Sequence, residues 1–282
     1  MANAVFYEDT YKVDTYRTVY MKYLMCNYND ITIRKIDTTV AKSGYYGING
    51  TFFNGGARAI TGIAIQDGKQ VRNYGLINRD PQGTGGSSAV ACGTFFKLKQ
   101  TENTVFLGTA DIAVYDKTVY DGATLTLANT LYAVGGVSLY PSDTSLTRST
   151  YDQKISTQMT DESSRIATAA RSAIIYVGGS STGLNTVLLT VQGANLTTSG
   201  NDTLTNNRGG VSLWELRTLI NEKFAPMISS TAKTVVHAIA LDGGASTQIA
   251  YKKNNKTYSY MSSYDGGSNT TNNVYTMLSV PM

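Results

Sequence analysis

The chain of 282 residues contains one histidine, one tryptophan, two cysteines and four prolines. A single imidazole, His237, removes every metal site that needs two or more histidines and leaves at most one for acid–base work. Cys26 and Cys92 are too few for a disulfide scaffold or a cysteine-only metal site, and neither stands in a catalytic setting, so both read as buried thiols. No apolar run approaches the roughly 18 residues of a membrane span. No block of five or more like charges occurs, so neither a nucleic-acid arm nor a membrane-binding tail is indicated. The formal net charge of +4 comes from interspersed signs and points only weakly to anionic partners. The opening MANAVFYEDTYKVDTY lacks a basic segment followed by an apolar one, so no secretory signal is visible, and a cytoplasmic or virion-associated setting is expected.

What the chain does hold is 27 glycines, 20 tyrosines and 41% hydrophobic residues, enough for one large core or two modest ones. Strand-like runs recur, separated by turns bearing Gly, Asn or Ser: TVYMKYLM, DITIRKI, GIAIQ, TVFLG, DIAVYD, SAIIYVGG, TVLLTVQG, TVVHAIALD and NVYTMLSV. No fixed repeat appears. One helix is well specified, in GGVSLWELRTLINEKF. Ser212 caps it, Glu215 reaches back three residues later, and Val211 and Leu216 take the flanking staple positions. That structural task is sufficient for Glu215, which would otherwise invite a catalytic role. Ser142–Ser164 lacks periodicity and reads as a loop or insertion, Thr197–Gly210 as a polar turn, and residues 1–15 as an N-terminal arm. The expected fold is α+β: a mixed or antiparallel sheet core with a few packed helices, in one domain over 1–282.

Four places deliver a polar group next to glycine at the end of an apolar strand: Gly47–Asn54, Tyr132–Tyr140, Ala169–Gly179 and Ile239–Thr247. Glycines let a ligand or a second backbone come close, and consecutive free amides cradle an anion. A hairpin turn explains any one of them. Four in one chain, holding Asn49, Arg171 and Asp242, are harder to dismiss. Read alone, Arg171 also suits a salt bridge closing a strand, and Asp242 a turn cap.

The ordered set Ile48-Asn49-Gly50-Thr51-Phe52-Phe53, Ala133-Val134-Gly135-Gly136, Ala170-Arg171-Ser172-Ala173-Ile174, Leu213-Trp214-Glu215-Leu216 and Leu241-Asp242-Gly243-Gly244-Ala245-Ser246-Thr247 resembles the phosphodiester glycosidase family, from about residue 16 to the C-terminus. Ile175 and Ala245 stand where that family often has glycine. The resemblance implies hydrolysis of a glycosyl-1-phosphodiester, such as an N-acetylglucosamine-1-phosphodiester or a phosphodiester-linked surface glycan. It also implies Asp242 and Arg171 as the catalytic pair. A non-catalytic glycan- or nucleotide-binding module, or a structural domain of a larger assembly, is the alternative on the same fold.

Most glycosidases need two carboxylates, and no convincing pair is visible here. A phosphodiester eases that need, because its leaving group departs as a stable phosphate anion. What the transition state needs is a cation and amides around the phosphate, with a carboxylate near the sugar. Arg171 offers a planar fork for two phosphate oxygens, and Asp242 a nucleophile, a base for water or an electrostatic partner. Gly50, Gly243 and Gly244 would add backbone donors, with Gly135 and Gly136 also at the substrate, while Asn49, Ser246 and Thr247 hydrogen-bond sugar or phosphate. No cofactor is implied; a divalent cation held by Asp242 and loop carbonyls stays open, although no calcium-loop spacing of acids is present. His237 is not expected to meet Asp242, since an odd offset along a strand turns the two side chains to opposite faces.

Overall fold

The computed structural model describes residues 4–54, 59–81, 88–99, 107–120, 122–178, 183–193, 210–224, 237–254, 256–261 and 273–282. Most of the Thr197–Gly210 turn and the first residues of TVFLG and TVVHAIALD lie outside them. The described chain is strand-rich, and every strand pairing in its three larger sheets is antiparallel.

The first sheet runs Val5–Lys12, Thr18–Cys26, Thr186–Gly193, Arg171–Tyr176, His237–Ala240, Val137–Ser138. Its central strands carry unbroken apolar runs because both faces are covered. On one face Val19, Met21, Ala173, Ile175, Val187 and Leu189 pack against helices α1 (Arg148–Ile155) and α3 (Leu213–Phe224) through Tyr151, Ile155, Leu216 and Phe224. On the other, Leu24, Ile174, Leu188 and Ile239 meet Ile48, Ile249 and Leu278 of a second sheet and Phe95, Tyr132 and Val134 of a third. The second sheet has the order Lys256–Met261, Gln248–Lys253, Tyr46–Asn49, Val274–Val280, Thr32–Thr38; the third, Leu107–Ile112, Cys92–Leu98, Thr130–Gly135, Ala64–Gln66, Lys69–Gln70. About 25 cal/mol per Å² of apolar surface removed from water makes this two-sided burial the main stabilising term.

Three sequence expectations change. Residues 142–164 are not a loop: α1 lies within them, closed by a capping box between Thr147 and Thr150, and α2 (Glu162–Ile166) starts there with Asp161 as its cap. Threonine at the third position replaces the Glu or Gln of the usual signature, which hid the helix from pattern reading. DIAVYD is a strand only to Ile112, after which Tyr115–Lys117 turns as a short 3-10 segment. The N-terminal arm is an edge strand, pairing from Val5 opposite Met25 to Lys12 opposite Thr18. The helix predicted from Ser212 is present as expected. Ser212 N–H donates to Glu215 Oε2 at 2.8 Å and Glu215 N–H returns to Ser212 Oγ at 3.2 Å.

Candidate functional site

Ala173 lies opposite Ala240 in the first sheet. Extended by two residues, that antiparallel register sets Arg171 opposite Asp242, on one face and within side-chain reach. Both line a cleft of about 280 Å³ with Phe52, Met159, Ser163, Ser164, Ala167, Ala169, Gly243 and Gly244. Asp242 is the one carboxylate among these lining residues.

The segment carrying Asp242 leaves its strand at Leu241 and is pinned from three sides. Leu241 N–H donates to Ser172 O at 2.8 Å, Gly244 N–H to Ala170 O at 2.8 Å, and Asp242 N–H to Gly50 O at 3.3 Å. Asn49 closes the fourth side. Its Nδ2 donates to Asp242 O at 2.8 Å, while its Oδ1 accepts from Ser172 Oγ at 2.6 Å and Gln248 N–H at 3.0 Å. Asn49 is fully buried and absent from the cleft wall. It holds the loop rather than facing a ligand. Gly244 sits at φ +59°, a left-handed conformation that favours glycine, and so lets the chain turn back under the carboxylate.

Burial pushes the Asp242 carboxyl up to about 7, against the opposing pull of hydrogen bonds from the Ser246 hydroxyl and Gly243 N–H and of the Arg171 charge. The Gly243 N–H lies 2.9 Å from Asp242 Oδ1. Burial likewise lowers the Arg171 guanidinium to about 10, opposed by Tyr151 and Asp242. Arg171 Nε donates to Val211 O at 3.1 Å, and Nη2 donates to Ser164 O at 2.8 Å and Ala167 O at 3.0 Å. Those last two carbonyls belong to the end of α2, where backbone acceptors have no helical partner. Arg171 therefore caps α2 and ties it to the entry of α3.

The expected two-pronged grip on phosphate is corrected by this geometry, because Nε and Nη2 are already committed to carbonyls. Of the three guanidinium nitrogens only Nη1 has no hydrogen-bond partner among the described residues, and it lies on the Gly243 side. The expected amide cradle is corrected too. Gly50 N–H goes to Thr276 O at 2.8 Å, Gly243 N–H to Asp242 and Gly244 N–H to Ala170 O. Gly135 ends a strand of the third sheet and Gly136 links it to Val137–Ser138 of the first; neither lines the cleft, and their N–H groups are bound to Ile63 O at 2.8 Å and Gly93 O at 2.7 Å. A side chain at Gly136 would strike the Ala240 carbonyl, so this glycine serves strand packing. Ser246 serves Asp242, and Thr247 is fully buried with a hydroxyl that has no partner among the described residues.

His237 stands apart, its Nδ1 3.0 Å from Thr109 Oγ1 and its ring stacked on Tyr176. Burial lowers it to about 4, so it is neutral at pH 7. Pattern reading missed Ser163 and Ser164, whose hydroxyls both hydrogen-bond the Asp161 carboxylate. The Asp-x-Ser-Ser start of α2 was the available signal, hidden by the loop reading of 142–164. No group of three or more His, Cys, Asp or Glu able to hold a metal occurs among the described residues.

No family model and no curated protein matches this chain. Among solved structures, the crystal structure of the "Putative exported protein" of Burkholderia pseudomallei K96243 superposes with a TM-score of 0.50 at 12% identity, covering 94% of this chain and 74% of that one. At that identity the likeness concerns the fold alone. The resemblance to phosphodiester glycosidases thus rests on the quoted motifs. Among the described residues no helix is long and apolar enough to cross a membrane.

Proposed function

We propose that this chain, an α+β fold with its helices laid on one face of the first sheet, hydrolyses the sugar–phosphate bond of a glycosyl-1-phosphodiester. The observation that carries the reading is the cleft itself: one carboxyl raised to about 7, opposite a buried guanidinium with which it forms no ion pair. A carboxyl tuned near neutrality inside a cleft is a mark of acid–base or nucleophilic work. In the proposed step the anomeric carbon–oxygen bond breaks and its electron pair leaves on the phosphate. Water supplies the new bond to carbon and gives its proton to the Asp242 carboxylate, while Arg171 Nη1 faces the departing anion.

The motif resemblance supports the same substrate class. Incubation with a synthetic N-acetylglucosamine-1-phosphodiester tests it: free sugar and a phosphomonoester appear with the wild-type chain and vanish with Asp242→Asn. A binding module is favoured instead by one observation, the commitment of the Gly50, Gly243 and Gly244 amides to protein acceptors. Tight binding without release by the wild type selects that reading.

A further inference from the structure

A second cleft, of about 310 Å³, is lined by Lys35, Ala59, Gln70, Val71, Arg72, Asn73 and Tyr74. We propose that it holds a further anionic unit of a polymeric, phosphodiester-linked glycan whose scissile bond lies at Asp242, an inference that rests on the hydrolase reading for the bond but not for the binding.

The walls are preformed. The turn after Lys69–Gln70 is tied back on the third sheet: Val71 N–H donates to Ala64 O at 2.9 Å, and Gly75 O accepts from Ala64 N–H at 2.9 Å. Gly75 N–H closes the turn on Arg72 O at 3.1 Å. Tyr74 is held at φ +70°, a conformation that a bulky side chain adopts only when its surroundings impose it. Tyr74 is 57% exposed, with the Arg79 guanidinium 5.2 Å from its ring centroid. An exposed ring of this kind offers an apolar face to a sugar and a hydroxyl to water.

The charge is also arranged. Arg72 pairs with Asp37 and lies 4.5 Å over the Tyr275 ring, so its position is fixed. Lys35, on the same strand as Asp37, forms no ion pair among the described residues, and the side-chain amides of Gln70 and Asn73 have no protein partner there. Counting Asp37, the cleft keeps one positive charge in excess beside two amides. That combination suits a phosphate flanked by sugar hydroxyls.

The walls of the two clefts are linked through consecutive phenylalanines. Phe52 lines the first, and the next residue, Phe53, packs edge-on against Tyr275 at 4.8 Å, the ring on which Arg72 of the second cleft lies. On this proposal one chain of sugar phosphates spans both clefts, whose linings share no residue. A single-unit diester can meet only one.

Lys35→Glu in the full chain tests this, read with two probes: a phosphodiester-linked oligomer of N-acetylglucosamine-1-phosphate and its single-unit methyl diester. The reversal lowers kcat/KM for the oligomer about fivefold, by loss of a charge-assisted contact, and leaves the single unit unchanged. Lys35→Arg restores the oligomer value. The same fivefold weakening appears in oligomer binding when Asp242→Asn is compared with Asp242→Asn/Lys35→Glu. Equal effects on both probes, no effect on either, or no oligomer binding by Asp242→Asn overturns the proposal. Absence of turnover by the wild type overturns only the hydrolase reading, and the binding comparison then decides this one alone.

Discussion

Arg171, at the start of its strand, and Asp242, two residues past the end of the neighbouring one, line the same cleft, yet they form no ion pair. The guanidinium is turned to the carbonyls of Ser164, Ala167 and Val211, and the carboxyl to Ser246 and Gly243. A direct pair would pull the carboxyl far below its ordinary range. Keeping the two apart leaves Asp242 half-protonated near pH 7 and Nη1 available, the condition a site needs and a closed salt bridge would forfeit.

Turnover should rise with pH to a plateau, with its midpoint near pH 7, because the ionised Asp242 is the active form. The kcat/KM profile of the wild type on a sugar phosphodiester reads this directly. A descending limb centred near 7 would assign the carboxyl the opposite role, as an acid.

Asp242→Asn should be more stable than the wild type at neutral and alkaline pH. The folded carboxyl titrates at about 7 and the unfolded one at its ordinary value of 3.8, so the wild type gains stability from this group below pH 4 and loses it as pH climbs to 7. Above 7 the deficit levels off at on the order of 2–4 kcal/mol, which the neutral amide escapes. Urea unfolding at pH 4, 6 and 8 measures the widening gap; a gap constant with pH would refute the origin given for it.

Arg171→Met should cost about 3–5 kcal/mol, because three carbonyls and the end of α2 lose their donor. Hydrogen exchange across Glu162–Ile166 should accelerate with it. Full stability in this variant, with activity alone abolished, would mean that the guanidinium serves phosphate rather than α2.

Asn49→Ala should destabilise the chain by about 2–4 kcal/mol and lower kcat with little change in KM, because Asn49 aims Asp242 without facing the cleft. A rise in KM alone would restore the role of sugar ligand suggested by the motif.

Glu215→Gln should leave turnover intact and cost no more than about 1 kcal/mol, since glutamine keeps both bonds of the capping box and only the partly exposed ion pair with Arg17 is lost. Loss of turnover in a folded Glu215→Gln chain would place a second carboxyl in the chemistry.

Local features were legible in the chain and distant ones were not. The apolar runs around Thr18–Cys26, Arg171–Tyr176, Thr186–Gly193 and Val274–Val280 announced their strands, and Ser212 with Glu215 announced α3. Asp242 was marked by the Asp-Gly-Gly turn that follows its strand. The task of Arg171 was hidden, because the helix it caps starts with a short aspartate turn and lacks an apolar stripe. The pairing of Ala173 with Ala240 joins strands far apart in the chain, and nothing in either strand alone states it. Asn49 was found, but its role was not, since an asparagine before glycine reads the same whether it faces a sugar or a neighbouring loop.

Both thiols are sealed inside the protein: Cys26 has no exposed surface and Cys92 almost none, and burial drives the first well above and the second up to about 12. The folded molecule is therefore blank to maleimides and iodoacetamide at neutral pH. A cysteine placed at exposed Tyr74 or Lys35 becomes its sole reactive handle, so a fluorophore or spin label can be set at the mouth of the second cleft without first stripping the native sulfur.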